Sequence, residues 1–220
     1  MLGVCDAHYR FLYVDIGASG RRSDGGVFGN SSLCNLLERK LLNIPSPSPI
    51  VAGSNVNIPF VFLGDEAFPL KEYLMRPFPK KKLNLQRRIY NFRQARARRP
   101  IENSFGILAS KWRIFRKPII ADLDTIKKIV KASVCLHNWL INEKNILQPE
   151  HNYIGPGLVD NIPNNGEMVD GSWRRVISTG LTDITRAGAN NYNKRVAQIR
   201  EYYVHYFNNE GAVPWQYDSI

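Results

Sequence analysis

The chain is poor in the residues that build disulfide frameworks and metal knuckles. Its three cysteines, Cys5, Cys34 and Cys135, are odd in number, widely spaced and free of any CxxC pair. That spacing excludes a disulfide scaffold and a zinc knuckle and reads as three small apolar residues in a reducing compartment. The four histidines, His8, His137, His151 and His205, also lack ligand spacing. No apolar run approaches the roughly 20 residues that span a bilayer. "MLGVCDAHYR" is too short and too soon polar for a secretory leader, so an intracellular protein without a membrane partner is expected. Acids are scarce in one region above all. Between Lys71 and Lys117 stand fifteen Lys or Arg and only two acids, Glu72 and Glu102, which leaves the rest of the chain slightly negative although the total is +11.

The 220 residues, 44% of them hydrophobic, suffice for one domain with its own core and an extension. The basicity culminates in "PKKKLNLQRRIYNFRQARARR", Pro79 to Arg99, with nine cations and no acid. Lys80, Lys81, Lys82, Arg87, Arg88, Arg93, Arg96, Arg98 and Arg99 stand there beside Tyr90 and Phe92. Such a block suits phosphate backbones, whose neutralisation dominates nucleic-acid affinity. A solvated helix face and a nuclear-import signal are the plainer readings of the same run.

Periodicity places the rest. "MLGVC" and "YRFLYVDIG" read as a hairpin, Gly17 to Gly26 as a loop, and "SSLCNLLERKLL" as a helix capped by Ser31 or Ser32. "NIPSPSPIVAGSN" breaks structure with three prolines, and "IPFVFLGD" then reads as one core strand. A helix is predicted over Leu85 to Arg98, with Pro100 opening a second. In that second helix Ile101, Phe105, Leu108, Trp112 and Phe115 form an apolar stripe, and Gly106 and Ala109 leave a face without bulk for close approach to a sheet. A further helix carries Ile126, Ile129, Val130, Val134 and Leu140, with His137 as a hydrogen-bonded structural residue.

Two acids stand apart. Asp65 ends the core strand and Glu102 borders the apolar stripe, with 36 residues between them. A glutamate in a first helical turn has a structural explanation, since acids favour helix N-termini. Together, a strand-end aspartate and a helical glutamate also suit convergence on Mg²⁺ or Mn²⁺, as in two-metal phosphodiester cleavage. Three carboxylates are usual for that pattern, and two are few.

"CDAHYRFLYVDIGASGRRSDGGVF", "IPFVFLGDEAFPL", "LMRPFP", "NFRQARARRPIENSFGILASKWRIF" and "CLHNWL" resemble, in order from about Cys5 to Asn142, successive motifs of the Harbinger transposase superfamily and its domesticated nucleases. The resemblance implies an α/β, RNase H-like mixed sheet flanked by helices. It implies a DDE-type metal-dependent DNA endonuclease with Asp65 as second and Glu102 as third catalytic and metal-binding carboxylate, Glu66 being a neighbour. DNA is the implied partner, together with a separate DNA-binding protein, and the nucleus the implied compartment.

The departures matter as well. The family's first aspartate belongs to a strand preceding the one that ends "CDAHY", so this chain is expected to lack its first strand and that carboxylate. Asp6, Asp15 and Asp24 are the alternatives for that carboxylate, but Asp6 and Asp24 match other positions of the family, so replacement is not expected. Weak metal binding, poor cleavage and a marginal, aggregation-prone fold are then expected. "RQARARR" carries Gln94 and Ala95 where the family commonly has leucine and serine. The expected organisation is a nuclease domain over 1–147, a flexible linker over 148–172 and a helical tail over 173–220 whose Pro-Trp-Gln ending resembles family C-termini. A non-catalytic DNA- or protein-binding module built on a decayed transposase domain is the alternative.

Overall fold

In the computed structural model, residues 1–18, 22–81, 83–143, 151–161, 167–176 and 193–217 are described. In chain order they form β1 (Leu2–Cys5), β2 (Phe11–Asp15), α1 (Asp24–Gly29), α2 (Ser32–Glu38), β3 (Ser48–Pro49), β4 (Asn57–Ile58), β5 (Phe62–Leu63), β6 (Leu74–Met75), α3 (Leu85–Lys111), a 3₁₀ turn (Arg113–Arg116), α4 (Leu123–Asn142), α5 (Trp173–Val176), α6 (Lys194–Asn208) and a 3₁₀ turn (Pro214–Gln216). They fall into two compact units, one of residues 1–19 and 99–183, the other of 20–98 and 184–220.

The first unit is built on the expected hairpin. β1 and β2 pair antiparallel from Leu2↔Asp15 to Cys5↔Phe11, with an irregularity at Val4/Cys5. Asp6 closes the turn. Its carboxylate accepts from the His8 and Arg10 amides and pairs with the Arg10 guanidinium at 2.7 Å, which commits it to structure. Phe11 then packs with Leu108, Val130 and Val134, surrounded by Ile101, Phe105, Trp112, Phe115 and Ile126. The predicted stripes therefore make this core, although α3 ends at Lys111, and Trp112 and Phe115 reach it from the cap and body of the following 3₁₀ turn. Asp122 caps α4 by accepting from the Thr125 amide at 2.9 Å.

In the second unit, Ile58, Leu70, Met75, Val196 and Ile199 form one apolar cluster, and Phe78, Tyr90 and Val204 another. Here several elements differ from their sequence patterns. The glycine-rich loop gives way to α1 at Asp24, because Ser23 caps it and Asp24 supplies an acid in its first turn. α2 stops at Glu38, short of Leu41 and Leu42. Lys40 takes φ 55°, and the amides of Leu41 and Lys40 bond back to the Leu36 and Leu37 carbonyls. That is the helix-ending arrangement usually marked by glycine, and no glycine marks it here.

"IPFVFLGD" does not form one strand. Pro59 has no amide to give a ladder, and the run divides into β4, paired antiparallel with β3, and β5, paired parallel with β6. The described residues accordingly hold three two-stranded sheets in place of the single mixed sheet expected, while the α/β class stands.

α3 is one helix through Pro100, where two were expected. An interior proline costs about 3 kcal/mol. Burial of large apolar side chains contributes roughly 1.5–3 kcal/mol each, and Ile89, Tyr90, Ile107 and Leu108 are all buried along the helix. Packing outweighs the proline. The Ser104 hydroxyl also donates to the Pro100 carbonyl at 2.7 Å.

Candidate functional site

Asp65 follows β5, in the second unit. The ladder delivers it: the Phe62 amide donates to the Tyr73 carbonyl and the Gly64 amide to the Met75 carbonyl at 2.9 Å. Immediately afterwards the chain turns, and the Asp65 carboxylate accepts from the Ala67 amide at 2.8 Å. Gln94 of α3, only 3% exposed, donates its Nε2 to the Gly64 carbonyl at 2.6 Å. The buried Arg76 guanidinium donates to the Glu66 and Phe68 carbonyls at 3.2 and 3.0 Å. Glu66 thus serves the turn through its backbone. The backbone on both sides of Asp65 is held by side chains from elsewhere in the unit.

Glu102, in the first unit, sits two residues after Pro100 with its side chain one-third exposed. Its Oε2 lies 3.5 Å from the Arg174 guanidinium. Arg174, in α5, is anchored by Asp160 in a two-pronged pair: Nε to Oδ1 at 2.9 Å and Nη2 to Oδ2 at 2.5 Å. Asp170 adds a third carboxylate at 3.4 Å. Asp160 has no exposed side-chain surface and also accepts from the Gly171 amide at 2.8 Å. Burial alone would raise its pKa, but the Arg174 hydrogen bonds and the Gly171 amide outweigh that and hold it below the usual carboxylate value. The same hydrogen bonding to Asp160 raises the pKa of Arg174.

The neighbouring Trp173 explains why α5 stays in place. Its indole covers Gly106, where an added Cβ would lie 2.3 Å from the ring. Its Nε1 donates to the Asn103 carboxamide oxygen at 2.9 Å, which also accepts from the Asp160 amide at 3.1 Å. The small-residue notch predicted to meet a sheet receives this tryptophan.

His137 is fully buried and structural, as expected. Its Nε2 donates to the Tyr9 carbonyl at 2.8 Å, so the Nδ1, 2.9 Å from the Tyr153 hydroxyl, accepts. Tyr153 in turn accepts from Trp112 Nε1 at 3.2 Å. Burial lowers the His137 pKa against the opposing Tyr9 bond, and pushes that of Tyr153 up to about 12.

The basic block divides. Lys80, Lys81 and Arg88 are exposed. Lys82 lies outside the described residues. Arg87 pairs with Glu201 at 2.6 Å and stacks on Phe78. Arg93 donates to the Gly211 carbonyl and the Gln216 side chain, both at 3.0 Å, and faces the Phe207 and Trp215 rings. Arg96 lies 3.9 Å over Trp215. Arg98 is half-buried, and Arg99 contacts the Met168 sulfur. The Pro-Trp-Gln ending therefore docks within its unit and engages two of the predicted DNA ligands.

Sequence reasoning missed Arg174, Asp160 and the contact made by Gln94. The signal for Gln94 was its departure from the apolar residue the family favours. "GSWRR" offered a tryptophan and two arginines, with nothing to tie them to Glu102.

Carboxylate oxygens are the donors that Mg²⁺ and Mn²⁺ prefer. Among the described residues, however, no three His, Cys, Asp or Glu side chains converge as ligands. Glu102 faces a guanidinium, and as arranged these residues do not fit a divalent metal. No helix among the described residues is long and apolar enough to cross a membrane.

Residues 1–138 match the DDE superfamily endonuclease family, and the chain belongs to it. Among curated proteins, it is similar to "Protein ALP1-like" of Arabidopsis thaliana, with 28% identity over 141 residues, covering 63% of this chain and 34% of that protein. The chain thus spans about a third of the length of the curated relative it matches. No solved structure matches. The Harbinger-type resemblance is borne out, and the family is one that generally depends on divalent metal and acts on DNA.

Proposed function

We propose that this chain is the DNA-cutting portion of a Harbinger-type transposase derivative, with Asp65 and Glu102 as its catalytic carboxylates and with an RNase H-like sheet as its parent architecture. The observation that carries the reading is the family match over 1–138, which contains both acids. One sits at the end of a strand and the other in a helix. Gln94 and Arg76 hold the backbone of the Asp65 turn, and Asn103 and Asp160 order the surroundings of Glu102. Divalent metal, Mg²⁺ or Mn²⁺, is the cofactor that Asp65 and Glu102 would hold once Glu102 is freed from Arg174, and it would supply Lewis-acid activation of water. Lys80, Lys81, Lys82, Arg88, Arg98 and Arg99 are the phosphate contacts. Arg87, Arg93 and Arg96 order the fold. Target choice falls to a separate DNA-binding protein, since backbone contacts carry no base information. The basic block also serves nuclear import.

A second reading is a non-catalytic DNA- or protein-binding module. The Arg174 ion pair at Glu102 favours it. Nicking of supercoiled duplex DNA in Mg²⁺ and Mn²⁺ separates the two readings. The nuclease reading expects metal-dependent nicking that Asp65→Asn and Glu102→Gln abolish while duplex binding persists. Nicking indifferent to both substitutions contradicts it. Duplex binding without nicking or carboxylate-dependent metal binding selects the second reading.

A further inference from the structure

Arg174 is not an incidental surface ion pair at Glu102. Exposed pairs between long flexible side chains are worth little because both partners must be immobilised for one contact. Here the immobilisation is already done. Asp160, with no exposed side-chain surface, grips the guanidinium through both oxygens, and the Gly171 amide fixes that carboxylate. The guanidinium carbon lies 4.5 Å from the Trp173 ring centroid, and the indole rests on Gly106 and bonds Asn103, each within four residues of Glu102 on α3. The charge presented to Oε2 at 3.5 Å is therefore built in place.

We propose that Arg174 is an intramolecular counter-ion that keeps divalent metal from Glu102. This rests on reading Glu102 as a metal-binding carboxylate. A dication approaching Oε2 meets a fixed positive charge within ordinary ion-pair distance, and like charges there repel strongly in a partly shielded setting. The carboxylate is also already satisfied, so the ion must displace a partner as well as shed water. Asp160 balances Arg174 whether or not Glu102 is engaged, so the guanidinium stays anchored when Glu102 changes partner.

The experiment is Mn²⁺ titration of the full chain, read by the loss of free-ion electron paramagnetic resonance signal, with circular dichroism confirming the fold. Arg174→Gln is expected to tighten Mn²⁺ binding about tenfold or more, because it removes a full charge beside the ligand. Arg174→Gln with Glu102→Gln should lose that gain. Arg174→Lys tests the same point if the glutamine variant unfolds: its single ammonium cannot hold Asp160 two-pronged and reach Glu102, so Mn²⁺ binding should tighten by a smaller factor. Binding that depends on Glu102 in the parent chain and is unchanged or weaker in both Arg174 variants overturns the counter-ion proposal while leaving the Glu102 reading intact. Binding indifferent to Glu102 in every variant overturns both.

Discussion

Asp65 and Glu102 are matched by one family and treated oppositely by their surroundings. The Asp65 carboxylate accepts from a backbone amide, and the residues that fix it, Gln94 and Arg76, bond to carbonyls around it. Glu102 faces a cation that two other carboxylates also hold. One acid is positioned through its backbone, with no salt bridge to its carboxylate among the described residues; the other is positioned on a helix and paired with a cation. Positioning and charge are separable, and a residue can carry the first without the second.

The comparison can be broken most forcefully at Asp160. Asp160→Ala strips Arg174 of its anchor and orphans the Gly171 amide. Losing one partner of a buried pair costs 3–5 kcal/mol, and the one-third exposure of Arg174 lowers the expected loss to about 2–3 kcal/mol. Chemical denaturation should show that loss, and Asp65 surroundings should keep their amide protection.

On the other side, Gln94→Leu restores the residue common in the family and leaves the Gly64 carbonyl without its donor. A cost of about 1–3 kcal/mol is expected from the unsatisfied carbonyl, with faster hydrogen exchange at Ala67, whose amide reports the Asp65 turn. Unchanged exchange there would show that the ladder with β6 alone holds Asp65.

Acid sharpens the contrast further. The pKa of His137 is lowered in the fold, so below about 6.5 the unfolded chain binds a proton that the folded chain resists. Its contribution to stability is complete above that pH and is lost as pH falls towards the folded value. Asp160 follows the same sign in a lower window, beginning near its ordinary 3.8. Thermal midpoints between pH 7 and 5 should decline, and His137→Gln should flatten that decline. An equal decline in the variant would place the titrating group elsewhere.

The smallest effects concern DNA. Each of Lys80, Lys81 and Arg88 changed to Gln should lower the slope of log affinity against log salt by about 0.9. Arg93→Gln and Arg96→Gln should instead lower the melting temperature, since their guanidinium groups serve Trp215 and Gln216. A slope change as large for Arg93 as for Arg88 would return the inner arginines to the DNA surface.

Much of this was legible in sequence where a local rule acts alone. The hairpin followed from two β-rich runs, α4 from its apolar spacing, and the role of His137 from its place on that apolar face. Rules failed where tertiary packing decided. Pro100 reads as a helix start, yet burial on both sides of it carries α3 through. Lys40 adopts a conformation that only glycine would have announced. The nine cations looked alike in sequence, and their sorting into exposed and ring-stacked groups depends on α6 and the Pro-Trp-Gln turn, far away in the chain. Arg174 was invisible for the same reason: it stands 72 positions after Glu102, and no periodicity spans that gap.

Iron-directed self-cleavage tests the central claim, that Asp65 and Glu102 are the metal-binding carboxylates, most directly. Fe²⁺ with ascorbate and peroxide cuts a backbone beside the ligands that hold it, and mass spectrometry reads the cut positions. The account predicts cuts near residues 65 and 102, suppressed by excess Mg²⁺ and stronger in Arg174→Gln. Cuts confined to other positions, or unmoved by Mg²⁺, would contradict it.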